Sequence, residues 1–373
     1  MRFSRRTDNP AGTAHPLVKR IEEARSNGTI RFDLTNTDPT GWPERAELER
    51  IVLGFLSKPS SNRYCPDSQG LLSVRELLSS ETGAMVPPTD WFLCASTSEA
   101  YSILFQLLGD PGDEIVVNRP SYPLLDDLAR HGALKLVDVP LRYLNSTWQL
   151  DIGRLERAFS SGKVKAFCLI QPGNPTGWSL SGQERSKVVA LCNKHGVALI
   201  SDEVFADYTY QSGFRSLLGE SGCLTFTLSG LSKGFGLPGL KLGWIGLSGP
   251  AQQVSDARER LQRLNDSLLS ASTPVQNALQ DLYLLKSDLL KPLLERLKTN
   301  LKIWNKFQHP GAIPVSAGWM AILRLDPGTE EFFCAEALDQ GILLQPGFLF
   351  DLPWDGVIIS LLAEPDDFRE ALL

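Results

Sequence analysis

Short runs of apolar and β-branched residues alternate with amphipathic segments through the middle of the chain. The runs predict strands at 114–117, 164–170, 197–200, 223–228 and 244–247. Strands that alternate with helices form a mostly parallel sheet with helices on its faces. We therefore predict an α/β fold, with a ligand beyond the carboxyl ends of the strands, where several runs end in polar or glycine-rich turns.

Near Pro250 the pattern changes to leucines at helical spacing, which predicts long connecting helices. Beyond them, 320–325 and 357–361 resemble strands and 331–339 resembles a helix, which indicates a smaller α+β lobe. Asp33-Leu34-Thr35 resembles an entry strand or loop, so we expect the N-terminal segment to join this lobe. We therefore predict a large domain at 41–264 and a discontinuous small domain made of 1–40 and 265–373.

Composition narrows the class of function. The 373 residues exceed what one hydrophobic core usually holds, and the net charge of -6 argues against a basic surface for nucleic acid or anionic membranes. We expect no membrane span, because no apolar run approaches about 18 residues. The six cysteines form no C-x-x-C pair and no metal-like spacing with the four histidines, so we expect no metal and a reducing cytoplasm.

The segment Thr227 to Trp244, TLSGLSKGFGLPGLKLGW, places Lys233 directly after a predicted strand. Glycines there let a ligand approach the backbone, and desolvation lowers the pKa of a lysine, which favours Schiff-base chemistry. A structural lysine would give the same local pattern, so Lys233 alone does not decide the function.

Four further motifs lie at strand ends or helix starts. They are Asn174 in QPGNPTG, Asp202 in SDEVF, the hydroxyl trio Ser96-Thr97-Ser98 before a helix, and Tyr122 in PSYP. An aspartate can pair with a protonated ring nitrogen, hydroxyls at a helix start can bind an anion, and a tyrosine can stack on a heterocycle. The alternatives are a turn, a helix cap, a capping cluster and a core tyrosine.

The five motifs, in their order along the chain, resemble those of the class I/II aminotransferases, which are fold type I enzymes that use pyridoxal 5'-phosphate (PLP). The similarity runs from Asp33-Leu34-Thr35 to Ser360-Leu361-Leu362. It implies the aspartate aminotransferase fold, PLP as cofactor, an amino donor and a 2-oxo acid acceptor as substrates, and a homodimer with shared active sites.

The resemblance also implies a role for each residue. Lys233 would carry the cofactor as a Schiff base and transfer the substrate proton, and Lys233, Asp202 and Tyr122 form the expected catalytic set. Asp202 would pair with the pyridine nitrogen, Asn174 would contact the ring 3-oxygen, and Tyr122 would stack on the ring. The phosphate would contact Ser96, Thr97, Ser98 and Lys241, together with Tyr64 of the other subunit. For the substrate walls we name Asn36, Thr40, Trp42 and Arg324.

Four positions depart from the family pattern. Lys241 stands where an arginine is usual, Gly230 where a serine is common, and Phe205 where a tyrosine is usual. Ile358 stands where the family has the arginine for the substrate α-carboxylate. Arg324 and Arg119 are candidates to replace that arginine, although an ion pair explains either one more simply.

Three functions follow as hypotheses. The first is an aminotransferase. The second keeps PLP but leads to elimination, replacement or cyclisation of an atypical amino acid, which the missing arginine and Phe205 favour. The third is a non-catalytic PLP sensor, as found in fusions to DNA-binding segments. We see no basic or helix-turn-helix segment before Asp33.

Overall fold

The computed structural model describes residues 3–7, 15–211 and 213–372. Residues 1, 2, 8–14 and 373 of the predicted small domain lie outside this range. The helices are α1 Pro16–Asn27, α2 Ala46–Phe55, α3 Leu72–Glu81, α4 Thr97–Leu108, α5 Leu124–His131, α6 Ile152–Phe159, α7 Gly182–His195, α8 Leu231–Gly234, α9 Ala251–Asp266, α10 Thr273–Leu284, α11 Lys286–Trp304, α12 Glu330–Asp339 and α13 Pro365–Ala371.

The strands follow the predicted alternation with helices. They are β1 Phe32–Asp33, β2 Trp91–Cys94, β3 Glu114–Arg119, β4 Lys135–Leu144, β5 Thr147–Leu150, β6 Val164–Ile170, β7 Ala198–Asp202, β8 Thr225–Gly230, β9 Gly243–Ser248, β10 Met320–Arg324, β11 Ile342–Leu343, β12 Gln345–Pro346 and β13 Gly356–Ser360. Within the described residues, eight of them form one sheet in the order β2-β9-β8-β7-β6-β3-β4-β5.

Strand direction in this sheet determines which loops meet. β8, β7, β6, β3 and β4 pair in parallel, and β9 is antiparallel to both β8 and β2, so β2 also runs parallel to β8. The carboxyl ends of β2, β8, β7, β6 and β3 therefore lie along one edge, together with the start of β9. A ligand site in an open α/β sheet is expected there.

Both faces of the sheet are buried under helices. α4, α5 and α9 cover one face through residues such as Leu104, Leu125 and Leu261. α6 and α7 cover the other face, where Leu155 and Val188 are buried. Because helices cover both faces of the sheet, the parallel strands are nearly continuous apolar runs, and polar residues appear where the strands end.

Two small sheets form from the rest of the chain. β1 pairs in parallel with β11, and β10, β13 and β12 form an antiparallel sheet. All strands of the large sheet lie inside 41–264, and those of the small sheets lie inside 1–40 and 265–373. The domain boundaries themselves stay a prediction. None of the helices in the described ranges combines the length and hydropathy needed to cross a membrane.

Candidate active site

A cavity of about 310 Å³ lies at the carboxyl edge of the large sheet. It brings together residues that are far apart in sequence but follow neighbouring strands. Its lining includes eight of the predicted site residues, namely Ser96, Thr97, Ser98, Tyr122, Asn174, Asp202, Lys233 and Lys241. Thr37, Phe205, Trp319 and Met320 also line it.

Asp202 ends β7 and is only 5% exposed. The Val204 amide donates to its Oδ1 at 3.1 Å, and the Tyr101 hydroxyl donates to its Oδ2 at 2.8 Å. Burial nevertheless raises the pKa of Asp202 to about 6, because the hydrogen bonds only partly offset desolvation. Without a cationic partner, this carboxylate is therefore costly to ionise.

Lys233 lies in the single-turn helix α8, directly after β8. The Tyr208 hydroxyl donates to the Lys233 carbonyl at 2.7 Å, and the Lys233 Nζ lies 4.5 Å from the centroid of the Trp319 ring. Burial lowers the pKa of Lys233 to about 8, although the nearby Asp38 carboxylate opposes the shift. The amine is thus neutral in a larger fraction of molecules at neutral pH than an exposed lysine, which suits a nucleophile.

Aromatic rings enclose the amine on the small-sheet side. Trp319, just before β10, contacts Phe205 and Tyr208 edge to face, with ring centroids 5.4 and 5.0 Å apart. The Trp319 Nε1 is buried and has no hydrogen-bond partner within the described chain. Phe205 therefore occupies a packed aromatic position in the lining of the cavity.

The hydroxyl trio lies at the start of α4. Ser96 caps the helix by accepting from the Glu99 amide at 3.1 Å, which leaves its hydroxyl proton available for a ligand. The Glu99 carboxylate itself accepts from the Ala95 amide and the Ser270 hydroxyl, both at 2.6 Å. Free amides and hydroxyls at the start of a twelve-residue helix form a suitable phosphate site.

Two glycines explain how closely the backbone packs around this site. A Cβ on Gly243 would lie 3.1 Å from the Ser96 carbonyl carbon, so the start of β9 passes tightly by α4. A Cβ on Gly230 would lie 2.8 Å from the Leu242 carbonyl oxygen and 2.9 Å from the Gly243 Cα. Backbone atoms give way poorly, so a serine at 230 would not fit without a shift.

The remaining lining residues provide polar groups around the cavity. The Asn174 Oδ1 is inaccessible to solvent and has no partner among the described residues. Lys241 is exposed and in the left-handed conformation at φ 52°, and Tyr122 is 39% exposed. A buried carboxylate, an unpartnered amide, an amine and an anion cradle fit PLP, a phosphorylated pyridine aldehyde.

Several predicted residues lie elsewhere. Tyr64 is 82% exposed and lines a separate groove with Asn265 and Gln276. The Trp42 ring lies under the Arg296 guanidinium at 3.7 Å in another groove. The exposed Arg324 places its guanidinium 5.4 Å from the Trp354 ring and does not line the cavity.

One other arginine and two of the predicted substrate residues also have defined positions. Arg119 contacts the carboxylates of Asp126, Asp138 and Asp351 at 2.6, 3.0 and 3.2 Å. Its guanidinium therefore forms ion pairs within the protein. Asn36 and Thr40 line an outer groove beside Lys233.

Comparison with known proteins shows the family. Residues 30–360 match the family Aminotransferase class I and II. An alanine aminotransferase of Mycobacterium tuberculosis is 28% identical over 91% of this chain and 80% of its own length. The glutamate-pyruvate aminotransferase AlaA of Escherichia coli is 26% identical over 95% of this chain and 91% of its own length.

Solved structures share the fold over the full chain. An aminotransferase from Escherichia coli superposes with a TM-score of 0.84 at 25% identity, covering 100% of this chain and 96% of its own. A single mutant of Thermus thermophilus aspartate aminotransferase superposes with a TM-score of 0.85 at 22% identity, covering 100% of this chain and 98% of its own. The predicted fold type I architecture and transaminase class are therefore confirmed. The chain belongs to the class I and II aminotransferase family.

Proposed function

We propose that this chain transfers an amino group between an amino acid or related amine and a 2-oxo acid, with PLP held at Lys233. The observation that carries the proposal is the convergence of Lys233, Asp202 and Asn174 on one cavity. Relatives named alanine aminotransferase and glutamate-pyruvate aminotransferase support small amino acids and 2-oxo acids as the substrate class.

The proposed role of each residue follows from its environment in the cavity. PLP, when bound, supplies an aldehyde that condenses with amines and a ring that withdraws electrons. Asp202 would hold a proton on the ring nitrogen, because a cationic partner relieves the cost of its buried charge. Lys233, with its pKa lowered to about 8, would accept and return the substrate proton.

The other lining residues would orient the cofactor. Asn174 offers an unpartnered amide for the ring oxygen, and Tyr122 offers a half-exposed ring for stacking. Ser96, Thr97, Ser98 and Lys241 would hold the phosphate. Lys241 supplies charge without the two-pronged geometry of arginine, so more of the phosphate binding falls to the helix start.

The competing function is elimination, replacement or cyclisation by the same cofactor. One observation favours it: Ile358 is fully buried in β13, opposite Ile322, so this strand offers no cation to a substrate carboxylate. A substrate without the usual anchor would be atypical. The two functions differ in whether the amino group stays on the enzyme.

A donor titration separates the functions. Holoenzyme mixed with a panel of amino donors, without an oxo acid, should lose its visible absorption and release one equivalent of 2-oxo acid per site. Adding a 2-oxo acid should restore the spectrum. Ammonia release with an unchanged cofactor form would support elimination instead, and no consumption of any amine would support the sensor.

We also propose a homodimer with shared sites. Tyr64 is 82% exposed and lines a groove separate from the cavity, and Leu269, 40% exposed, lines the same groove. Exposed aromatic and aliphatic side chains in one groove suit contact with a second copy.

The six cysteines are free, which suits a reducing compartment such as the cytoplasm.

A subunit-hybrid experiment tests the shared site. Tyr64→Ala and Lys233→Ala chains should each be strongly impaired alone. A one-to-one mixture reassembled at random should recover about a quarter of wild-type sites, since half of its dimers hold one intact site. A mixture no more active than its parents, with hybrids verified by two affinity tags, would show that Tyr64 does not serve a partner.

A further inference from the structure

Lys233 lies where two concave regions meet. The inner cavity and an outer groove of about 600 Å³ share Thr37, Lys233 and Pro238 in their linings. None of the described residues lining the inner cavity is an arginine, whereas Arg25 lines the outer groove.

Arg25 is available for a ligand. It lies in the last turn of α1, and its one side-chain hydrogen bond to the described residues is a long one, from Nη2 to the Thr35 hydroxyl at 3.4 Å. Its neighbours differ: Arg20 pairs with Asp339 at 2.7 Å, and Arg31 pairs with Glu370. Arg25 pairs with no carboxylate in the described ranges, so its guanidinium keeps a free two-pronged face.

The charge balance of the groove depends on this residue. Asp33 and Asp38 are the acidic residues of the lining, and their Oδ1 atoms accept from the amides of Thr35 at 2.8 Å and Thr40 at 3.0 Å. Arg25 and Lys233 are the basic residues of the lining, and in the proposed function Lys233 is linked to the cofactor. Without Arg25, the two carboxylates would lack this cation and would repel an anionic substrate.

The other arginines considered as carboxylate anchors already contact groups of the protein. Arg45 is completely buried and donates to the carbonyl oxygens of Pro39 and Phe235. Arg119 is surrounded by three carboxylates, and Arg324 lies over Trp354.

We propose that Arg25 binds the carboxylate of an amino-acid substrate whose amino group reacts at Lys233. The inference rests on the proposed function and adds the anchor that defines the substrate class as carboxylate-bearing amines. A cation near the carboxyl end of a helix also stabilises the helix dipole, which would be a purely structural role for Arg25. The experiment therefore has to separate recognition from stability.

Steady-state kinetics with matched donors makes this separation. Arg25→Gln should raise KM for an amino acid about 10- to 100-fold, the loss expected for a charge-assisted hydrogen bond, with kcat changed less than about twofold. KM for the corresponding amine without a carboxylate should stay within about twofold. Arg25→Lys keeps the charge and should fall between the two. Arg20→Gln, on the same helix, should behave as wild type.

Calorimetry gives a readout that needs no turnover. Propanoate and succinate titrated into resting holoenzyme should bind to wild type and to Arg20→Gln, and about 10- to 100-fold more weakly to Arg25→Gln. Equal binding by all three proteins, or an equal rise in KM for both donors, would overturn the assignment. If wild type consumed no amine, the proposed function would fail while these titrations still decided the role of Arg25.

Discussion

We expect replacement of Lys233 by alanine to lower the transamination rate by at least about 10⁴-fold, because in the proposed function one side chain supplies both the covalent link and the proton transfer. Single-turnover measurement with a saturating donor gives the rate. Lys286→Ala is the matched control: its amine lies 5.2 Å from the Phe235 ring and pairs with Asp207 outside the cavity. It should retain activity within about twofold.

The same variant tests the environment of the amine. In the folded apoprotein the pKa of Lys233 is lowered to about 8 from 10.5, so the unfolded chain binds more protons between these values. The contribution of Lys233 to stability is complete above pH 10.5 and is lost as pH falls through 8. Denaturant unfolding should show the difference between wild type and Lys233→Ala changing in this window. A constant difference would contradict a buried amine.

Replacing Asp202 by asparagine gives the second large effect, with opposite signs for activity and stability. Activity should fall about 10²- to 10⁴-fold, because an amide cannot hold a proton on the ring nitrogen. The apoprotein should become more stable near pH 7.5, because the variant no longer buries a charge. The shift of the pKa from 3.8 to about 6 corresponds to about 3 kcal/mol as an upper value.

The sign of the pH dependence follows from the raised pKa. Below pH 3.8 the carboxyl group of Asp202 is protonated in both states, and its contribution to stability is fully present. It is lost as pH rises through about 6, because the folded state must then bury a charge. Unfolding of both apoproteins between pH 4 and 8 measures this difference. An Asp202→Asn apoprotein that was equally stable throughout, or a fully active variant, would contradict the role.

Sequence patterns predicted the strands that are buried on both faces. The run 164–170 matches β6 Val164–Ile170. The strand predicted at 197–200 extends to Asp202, because Asp202 still pairs with Leu228 in the ladder although a carboxylate resembles a turn residue. β2 was not predicted: its four residues are too short a run to show a period.

Residues that line the cavity were predictable where a polar group follows a strand and were missed where the contact is long-range. Tyr101 fits the apolar stripe of α4, and nothing local indicates that its hydroxyl meets Asp202. Trp319 comes from the small-sheet region and approaches Lys233 only in the folded chain. Arg25 likewise reaches the groove from α1. The lining of the cavity and the groove therefore depends on packing between distant segments, which periodicity does not encode.

The central claim is that the amine of Lys233 holds the cofactor. Freshly purified holoenzyme reduced with borohydride, digested and analysed by mass spectrometry should carry one pyridoxyl group per chain, on the peptide that contains Lys233. No label, or a label on Lys241 or any other lysine, would contradict the account.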